Sequence, residues 1–181
     1  MKKNLLTFAL FLFLANLFMV SSCNNDDDDD DTTIRSVEFT ANVTGDFTQS
    51  IDVTIQPNGQ IGAVGSYNTV NNALGINFIE GATWFINLLT FNATEINTGT
   101  YSLADPAQSS VYFNSGAGVA SGFYSASGNL NITKSESTSP IGKATDRYVS
   151  GNFNGVFTTE DDPPKTVTIN GTFEDVYIVH D

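Results

Sequence analysis

The segment Val149-Ser150-Gly151-Asn152-Phe153-Asn154-Gly155-Val156-Phe157 decides the fold class of this chain. Apolar or small residues alternate with polar residues along most of it, which is the two-residue period of a β-strand with one buried face. Two inward positions are glycine, Gly151 and Gly155, and glycine inside a strand indicates tight curvature or a close approach of another backbone. The segment therefore predicts a strand in the wall of a barrel.

The same period recurs outward from this segment. Residues 167–179 predict a closing strand with a bulge near Glu174 and Asp175. Towards the N-terminus, Asn58-Gly59 lies between two alternating runs and favours a hairpin, because both residues tolerate positive φ. Segments 119–124 and 128–134 predict two separate strands, and 135–146, rich in Ser, Thr and Gly, predicts a mobile loop.

These patterns predict one all-β domain, an antiparallel β-barrel or a β-sandwich of about 8–10 strands in meander order. A calycin-like barrel is the favoured form. Strong helix formers are scarce and no long helical period is present, so we expect almost no helix after the N-terminal segment.

One predicted strand, 83–91, is apolar on both faces. One face carries Trp84, Ile86 and Leu88, and the other face carries Phe85, Leu89 and Phe91. Such a strand is either central and covered on both sides, or it presents one face to a partner or ligand.

The N-terminus has the layout of a secretory signal, with a basic start at Lys2 and Lys3 and an uncharged apolar run from Leu5 to Val20. The run ends in Val20-Ser21-Ser22-Cys23, which resembles the lipobox of bacterial lipoproteins and implies cleavage after residue 22 and lipidation of Cys23. The alternative is an incidental cysteine near an ordinary cleavage site. Cys23 is the only cysteine, so its lipidation would leave no thiol for disulfides, catalysis or metal binding.

An acidic stretch follows the cysteine directly and resembles the surface-export signal of Bacteroidetes lipoproteins. It consists of Asn24, Asn25, Asp26, Asp27, Asp28, Asp29, Asp30 and Asp31. Like charges repel one another, so we expect residues 23–33 to form a disordered tether. By the resemblance, the protein lies in the outer membrane and faces the cell surface; the alternative is an acidic spacer facing the periplasm.

The remaining residues, 34–181, form one domain with enough chain for a core. From Thr32 onward the chain has five Lys or Arg and fourteen Asp or Glu, a net charge of about −9. Nucleic acid is excluded as a partner because binding a polyanion requires a basic surface. We expect the membrane as a partner through the lipid anchor.

Four motifs, in this order, resemble a family of small flavobacterial lipoproteins of unknown function. They are Gly99-Thr100-Tyr101-Ser102-Leu103, Gly128-Asn129-Leu130-Asn131-Ile132-Thr133, Val149-Ser150-Gly151-Asn152-Phe153, and residues 167–176. The resemblance covers the C-terminal half and implies an envelope location and a β fold, with no reaction. Gly45-Asp46-Phe47 departs from the family, whose members often have a basic or aromatic residue after the first strand.

Catalytic and metal-binding patterns are missing from the sequence. The single histidine, His180, lies next to the C-terminus, where a general base is poorly held. Zinc or iron sites need clustered His, Cys and carboxylates. We therefore predict a protein that is not an enzyme and has no cofactor or metal; a surface hydrolase would require a cleft with converging carboxylates.

Binding is the remaining hypothesis, because aromatic rings flanked by amides suit saccharides and peptides on β-domains. The predicted ligand-binding residues are Trp84, Tyr112 and Tyr124, although such rings also occur in cores and at sheet edges. Neighbouring amides are Asn68, Asn71, Asn72, Asn114, Asn152 and Asn154. The candidate partners are a glycan, a small apolar ligand or an envelope protein. The alternative function is a calycin-like carrier, with Gly151 and Gly155 making space for an apolar ligand in the lumen.

Overall fold

The structure, a computed structural model, describes residues 35–57, 61–80, 84–90, 96–105, 109–115, 122–138 and 145–180. The described residues all belong to one compact unit, 32–181. The predicted signal segment 1–22, Cys23 and the predicted tether lie outside the described residues. In the described ranges there is no helix of the length and apolarity that crossing a membrane requires.

Ten strands make up the domain. They are β1 (Val37–Gly45), β2 (Gln49–Ile55), β3 (Ile61–Asn68), β4 (Ala73–Glu80), β5 (Trp84–Thr90), β6 (Gly99–Ser102), β7 (Ser109–Asn114), β8 (Phe123–Ser137), β9 (Arg147–Thr158) and β10 (Thr166–His180). Strands hold 76% of the described residues, and none of these residues is helical. The prediction of an all-β fold is confirmed.

Seven of the strands close a barrel in the order β3, β4, β5, β7, β8, β9, β10. Neighbours in this ring pair antiparallel, except that β10 closes on β3 through a short parallel ladder from Ile178–Gly65 to His180–Tyr67. The β1–β2 hairpin joins the sheet at β10, and β6 joins it at β8. Of the two predicted architectures, the barrel is therefore the one that forms.

Large side chains pack the interior. The ring of Phe39 on β1 stacks on Phe78 with centroids 4.2 Å apart and on Trp84 at 5.5 Å. Phe113 and Phe123 stack at 6.1 Å. All five rings are buried, and burying such rings is the main source of stability in a domain of this size.

The inward glycines of β9 and β10 make room for phenylalanine rings on the neighbouring strand. Gly151 lies directly opposite Phe173, and Gly171 lies opposite Phe153. A Cβ on Gly151 would lie 2.6 Å from Cζ of Phe173, closer than packed atoms tolerate. Each ring therefore fills the space left by the facing glycine, and the predicted close approach in a barrel wall is confirmed.

Two predictions for the region before β9 are wrong. Segments 119–124 and 128–134 were expected as two strands with a turn between them, but β8 continues from Phe123 to Ser137, with register shifts against β9 between Ser125 and Ser127 and between Ile132 and Lys134. Gly128, with φ of 121°, absorbs the distortion opposite Gly155 without ending the strand.

The predicted mobile loop, 135–146, is ordered where the structure describes it. Residues 135–137 belong to β8, and Asp146 is only 3% exposed, while 139–144 lie outside the described residues. The Asp146 carboxylate accepts hydrogen bonds from the Tyr177 hydroxyl at 2.7 Å and from the His180 backbone N–H at 3.1 Å. These bonds hold the end of β10, so His180 is not at a fraying end.

A cluster of charged side chains surrounds Arg35, the first described residue. Arg35 lies 3.2 Å from Glu136 and 3.1 Å from Asp175, and Lys134 lies 3.1 and 3.3 Å from the same two carboxylates. The Arg35 guanidinium also covers the Tyr148 ring at 4.6 Å. The hydrogen bonds from Lys134 and Arg35 lower the pKa of Glu136. This cluster fixes the start of β1 to β8, β9 and β10.

Candidate functional site

A continuous row of outward side chains crosses the barrel from β3 to β8. It consists of Val64, Asn77, Asn87, Tyr112 and Tyr124, each directly opposite the next on neighbouring strands. Directly opposed residues of an antiparallel pair point to the same face of the sheet. We call these five residues the aromatic–amide row.

Strand β5, which contributes Asn87 to the row, carries apolar residues on both faces. Trp84, Ile86 and Leu88 point inward and are buried, whereas Phe85 and Leu89 point outward and are half-buried. The strand is therefore not fully covered on its outer face by the described chain. Among the described residues, the inner face of β5 is therefore buried and its outer face is partly exposed.

Two tyrosines form one end of the row. The rings of Tyr112 and Tyr124 lie 5.0 Å apart at an angle of 52°, and Phe85 lies 6.0 Å from Tyr112. Tyr124 is 40% exposed. The Tyr112 ring lies against Gly122, where a Cβ would overlap it. Contacts with Gly122 and the neighbouring rings therefore fix the orientation of Tyr112 before any ligand arrives.

Two amides form the middle of the row. The Asn87 side-chain amide donates to the Asn77 side-chain oxygen at 2.7 Å. Each primary amide has two N–H donors and an oxygen with two lone pairs, so this bond leaves donors and acceptors on both side chains. The pair is half-buried, which orders these groups while leaving them accessible.

The face around the row is uncharged. Among the described outward positions of β3, β4, β5 and β7 there is no Asp, Glu, Lys or Arg. Burial raises the pKa of Tyr124, and the nearby Tyr112 and the Glu160 carboxylate raise it further. The Tyr124 hydroxyl therefore stays protonated at neutral pH and can donate a hydrogen bond.

The structure brings together two of the three predicted ligand-binding residues. Tyr112 and Tyr124 are neighbours, but Trp84 lies in the core with 3% exposure, and its indole N–H donates to Glu80 at 2.6 Å. The assignment of Trp84 to an exposed site is corrected for that reason. Asn77 and Asn87 were not predicted; their polar side chains at the centre of otherwise apolar strands were the available signal.

The opposite side of the barrel carries a different array. Two rows of outward residues cross β1, β10, β9 and β8, and we call these rows the Asn–Thr wall. The rows are Thr40, Thr172, Asn152 and Asn131, and Asn42, Asn170, Asn154 and Asn129. Thr40 and Thr172 share a hydrogen bond of 2.7 Å, and Asn131 donates to Asn152 at 2.8 Å. Two of the predicted neighbouring amides, Asn152 and Asn154, therefore lie on β9, outside the aromatic–amide row.

Metal-binding chemistry has no support within the described residues, which contain no group of three or more His, Cys, Asp or Glu side chains arranged to hold an ion.

Comparison with protein-family models, curated proteins and solved structures gives no match. The chemistry of the aromatic–amide row is therefore the main guide to function.

Proposed function

We propose that the protein is a lipid-anchored module of the cell envelope, without catalytic activity, that binds an uncharged saccharide through the aromatic–amide row. The observation that carries the proposal is the Tyr112–Tyr124 pair beside the Asn77–Asn87 amides on one uncharged outer face. Aromatic rings stack on the apolar C–H faces of sugars, and ordered amides exchange hydrogen bonds with sugar hydroxyls.

The charge of the domain supports a neutral ligand over an acidic one. The chain from Thr32 onward carries about −9, and the Glu160 carboxylate lies near the Tyr124 end of the row. A polyanionic glycan would be repelled, since like charges raise the free energy of binding. A neutral sugar has no such cost.

The anchoring part of the proposal is supported by the N-terminal sequence. The signal-like segment 1–22, Cys23 and the acidic tether 24–31 together favour a lipoprotein of the outer membrane that faces the cell surface. The resemblance to flavobacterial lipoproteins supports the same location. In this setting a fixed ligand face would hold a saccharide, or an envelope partner, next to the cell.

A calycin-like carrier is the second candidate, favoured by the closed barrel. A carrier needs an open lumen, but the space beside both glycines that were expected to provide it is occupied. The Phe173 ring occupies the space beside Gly151, and the Ser127 carbonyl occupies the space beside Gly155. A carrier would bind a lipophilic fluorescent dye to saturation at one site per chain; we expect no saturable binding.

Binding is tested with the full chain in a non-glycosidic detergent on an array of neutral and acidic glycans. We expect retention on neutral chains and a loss of about tenfold in affinity for Tyr124→Ala, equal to roughly 1.4 kcal/mol. The matched control is Asn154→Ala on the Asn–Thr wall, which should bind as the wild type does. Absence of binding to any neutral glycan contradicts the proposal, and so does equal loss in both variants.

The anchor is tested separately by Cys23→Ser in cells. The wild-type chain should partition into membranes and gain the mass of a lipid, whereas the variant should be unmodified. A variant that stays in the membrane fraction as firmly as the wild type contradicts lipid anchoring while leaving the binding site untouched.

A further inference from the structure

The aromatic–amide row is too long for one sugar ring. Asn77 and Tyr124 are separated by three steps between neighbouring strands. At about 4.8 Å per step, the distance between them along the surface is roughly 14 Å. A single monosaccharide therefore cannot reach from Asn77 to Tyr124, although Asn87 and Tyr112 are direct neighbours.

The two ends of the row offer different contacts. At one end, the Tyr112 and Tyr124 rings present apolar surface and hydroxyl groups. At the other, the hydrogen-bonded amides of Asn77 and Asn87 present polar groups. Each ring of a sugar chain carries both C–H faces and hydroxyl groups, so one ring can stack on a tyrosine while a neighbouring ring exchanges hydrogen bonds with the amides.

The surface beside the Asn77–Asn87 amides is recessed, because no side chain projects from Gly75. Gly75 occupies the outward position next to Asn77 on β4, between Ser66 and Leu89 on the flanking strands. A Cβ on Gly75 would meet only the Leu89 side chain, at an ordinary 3.8 Å. The missing side chain leaves open space along the row on this side, while Ile79 and Phe85 border the other side.

We propose that the row is a binding site for an extended neutral oligosaccharide, which lies across β4, β5, β7 and β8 with one ring on the tyrosines and later rings over the amides and Gly75. This inference rests on the proposed function and names its substrate class: a linear, uncharged glycan chain rather than a monosaccharide, a chain terminus or an acidic polymer.

The test measures affinity against chain length by calorimetry, with the full chain in a non-glycosidic detergent. The probes are glucan, mannan, xylan and galactan oligomers of two, four and six units, and their monosaccharides. For the series that binds, we expect affinity to rise at least about tenfold from the monosaccharide to the tetrasaccharide and to change little beyond it. Equal affinity for the monosaccharide and the tetrasaccharide overturns the inference.

Two variants test which part of the row provides the additional affinity for the tetrasaccharide. Gly75→Val fills the open space without touching the tyrosines, and Asn87→Ala removes an amide. Both should lower tetrasaccharide affinity about tenfold, and Gly75→Val should change monosaccharide affinity less than about twofold. The control, Asn154→Ala, should change neither, and circular dichroism of each variant verifies folding.

The outcomes separate the two claims. Tetrasaccharide affinity that is unchanged in both Gly75→Val and Asn87→Ala overturns the extended site but keeps a saccharide site at the tyrosines. If no member of the four neutral series binds the wild type, the proposed function itself is contradicted. Tighter binding of acidic than of neutral oligomers contradicts both.

Discussion

The two outer walls of the barrel follow the same pairing rules but differ in chemistry. Across β4, β5, β7 and β8 the outward row is two amides and two tyrosines, while across β1, β10, β9 and β8 two outward rows are entirely Asn and Thr. Both walls cover one continuous core. The tyrosine pair is therefore the clearest chemical difference between the two walls.

The walls also differ on the inside. Glycine faces phenylalanine across β9 and β10, so one ring covers two positions. Across β4, β5 and β7 large residues face one another, as Phe78, Ile86 and Phe113 do. The Asn–Thr wall therefore depends on a few rings, and the wall with the aromatic–amide row shares its packing among many side chains.

The largest effect on stability is expected at Phe153, whose ring covers its own position and that of Gly171. Phe153→Ala removes a fully buried ring and uncovers Gly171, so it should lower the free energy of unfolding by about 3–5 kcal/mol. Urea unfolding measures the loss. Val70→Ala, at a position 87% exposed, is the control and should change little. A loss below about 1 kcal/mol for Phe153→Ala would mean that the ring is not a main support of this wall.

A substitution at Gly171 tests whether this glycine and the Phe153 ring share one space. A Cβ on Gly171 would overlap the end of the Phe153 ring, so Gly171→Ala should cost about 1–3 kcal/mol by overpacking. In the Phe153→Ala background the ring is absent, and the cost should fall by at least about 0.5 kcal/mol. Additive losses in the double-variant cycle would refute the claim that ring and glycine share one space.

A third prediction sharpens the claim about the outer tyrosines. Gly122→Ala places a methyl group where the Tyr112 ring lies and removes no ligand-contacting side chain. Displacing the ring should weaken saccharide binding by roughly tenfold. Calorimetry measures the affinity, and near-ultraviolet circular dichroism reports the movement of the ring. Wild-type affinity with a displaced ring would show that the orientation of Tyr112 does not matter.

The smallest effect concerns pH, and it belongs to the region that holds the end of β10. Burial, followed by the hydrogen bond to Asp146, raises the pKa of Tyr177 to about 12. An unfolded tyrosine titrates near 10, so this stabilisation is complete below about pH 10 and is lost as the pH rises towards 12.

Tyr177→Phe tests that linkage by unfolding at several pH values. The variant should be less stable than the wild type at pH 8, and the difference should shrink between about pH 10 and 12. A difference that is constant across this range would show that the Tyr177 hydroxyl is not the titrating group.

The sequence predicted much of what depends on local pattern, but the hairpin expected at Asn58-Gly59 was wrong, because β2 pairs with β1 while β3 pairs with β4 and β10. Alternation along each segment identified most strands, and the inward Gly151 and Gly155 indicated a barrel wall. The bulge beside Asp175 was also predicted, and Asp175 has a φ of 55°. These features are encoded within a few consecutive residues, so no knowledge of pairing was needed.

The remaining features depend on contacts between distant residues. Trp84 was misplaced because β5 is apolar on both faces, and the pattern cannot tell which face is inside. Asn77 and Tyr112 join one row only through the registers of three strands. The parallel closure of β10 on β3 is likewise set by tertiary packing.

One measurement tests the central claim most directly, namely that the wall with the aromatic–amide row binds a neutral saccharide chain. Nitrogen-15-labelled full chain in a non-glycosidic detergent is titrated with the tetrasaccharide of the binding series, and side-chain amide signals are followed by NMR. The signals of Asn77 and Asn87 should shift with saturation, and those of Asn154 and Asn170 should stay in place. Saturable shifts on the Asn–Thr wall, with Asn77 and Asn87 unchanged, would contradict the account.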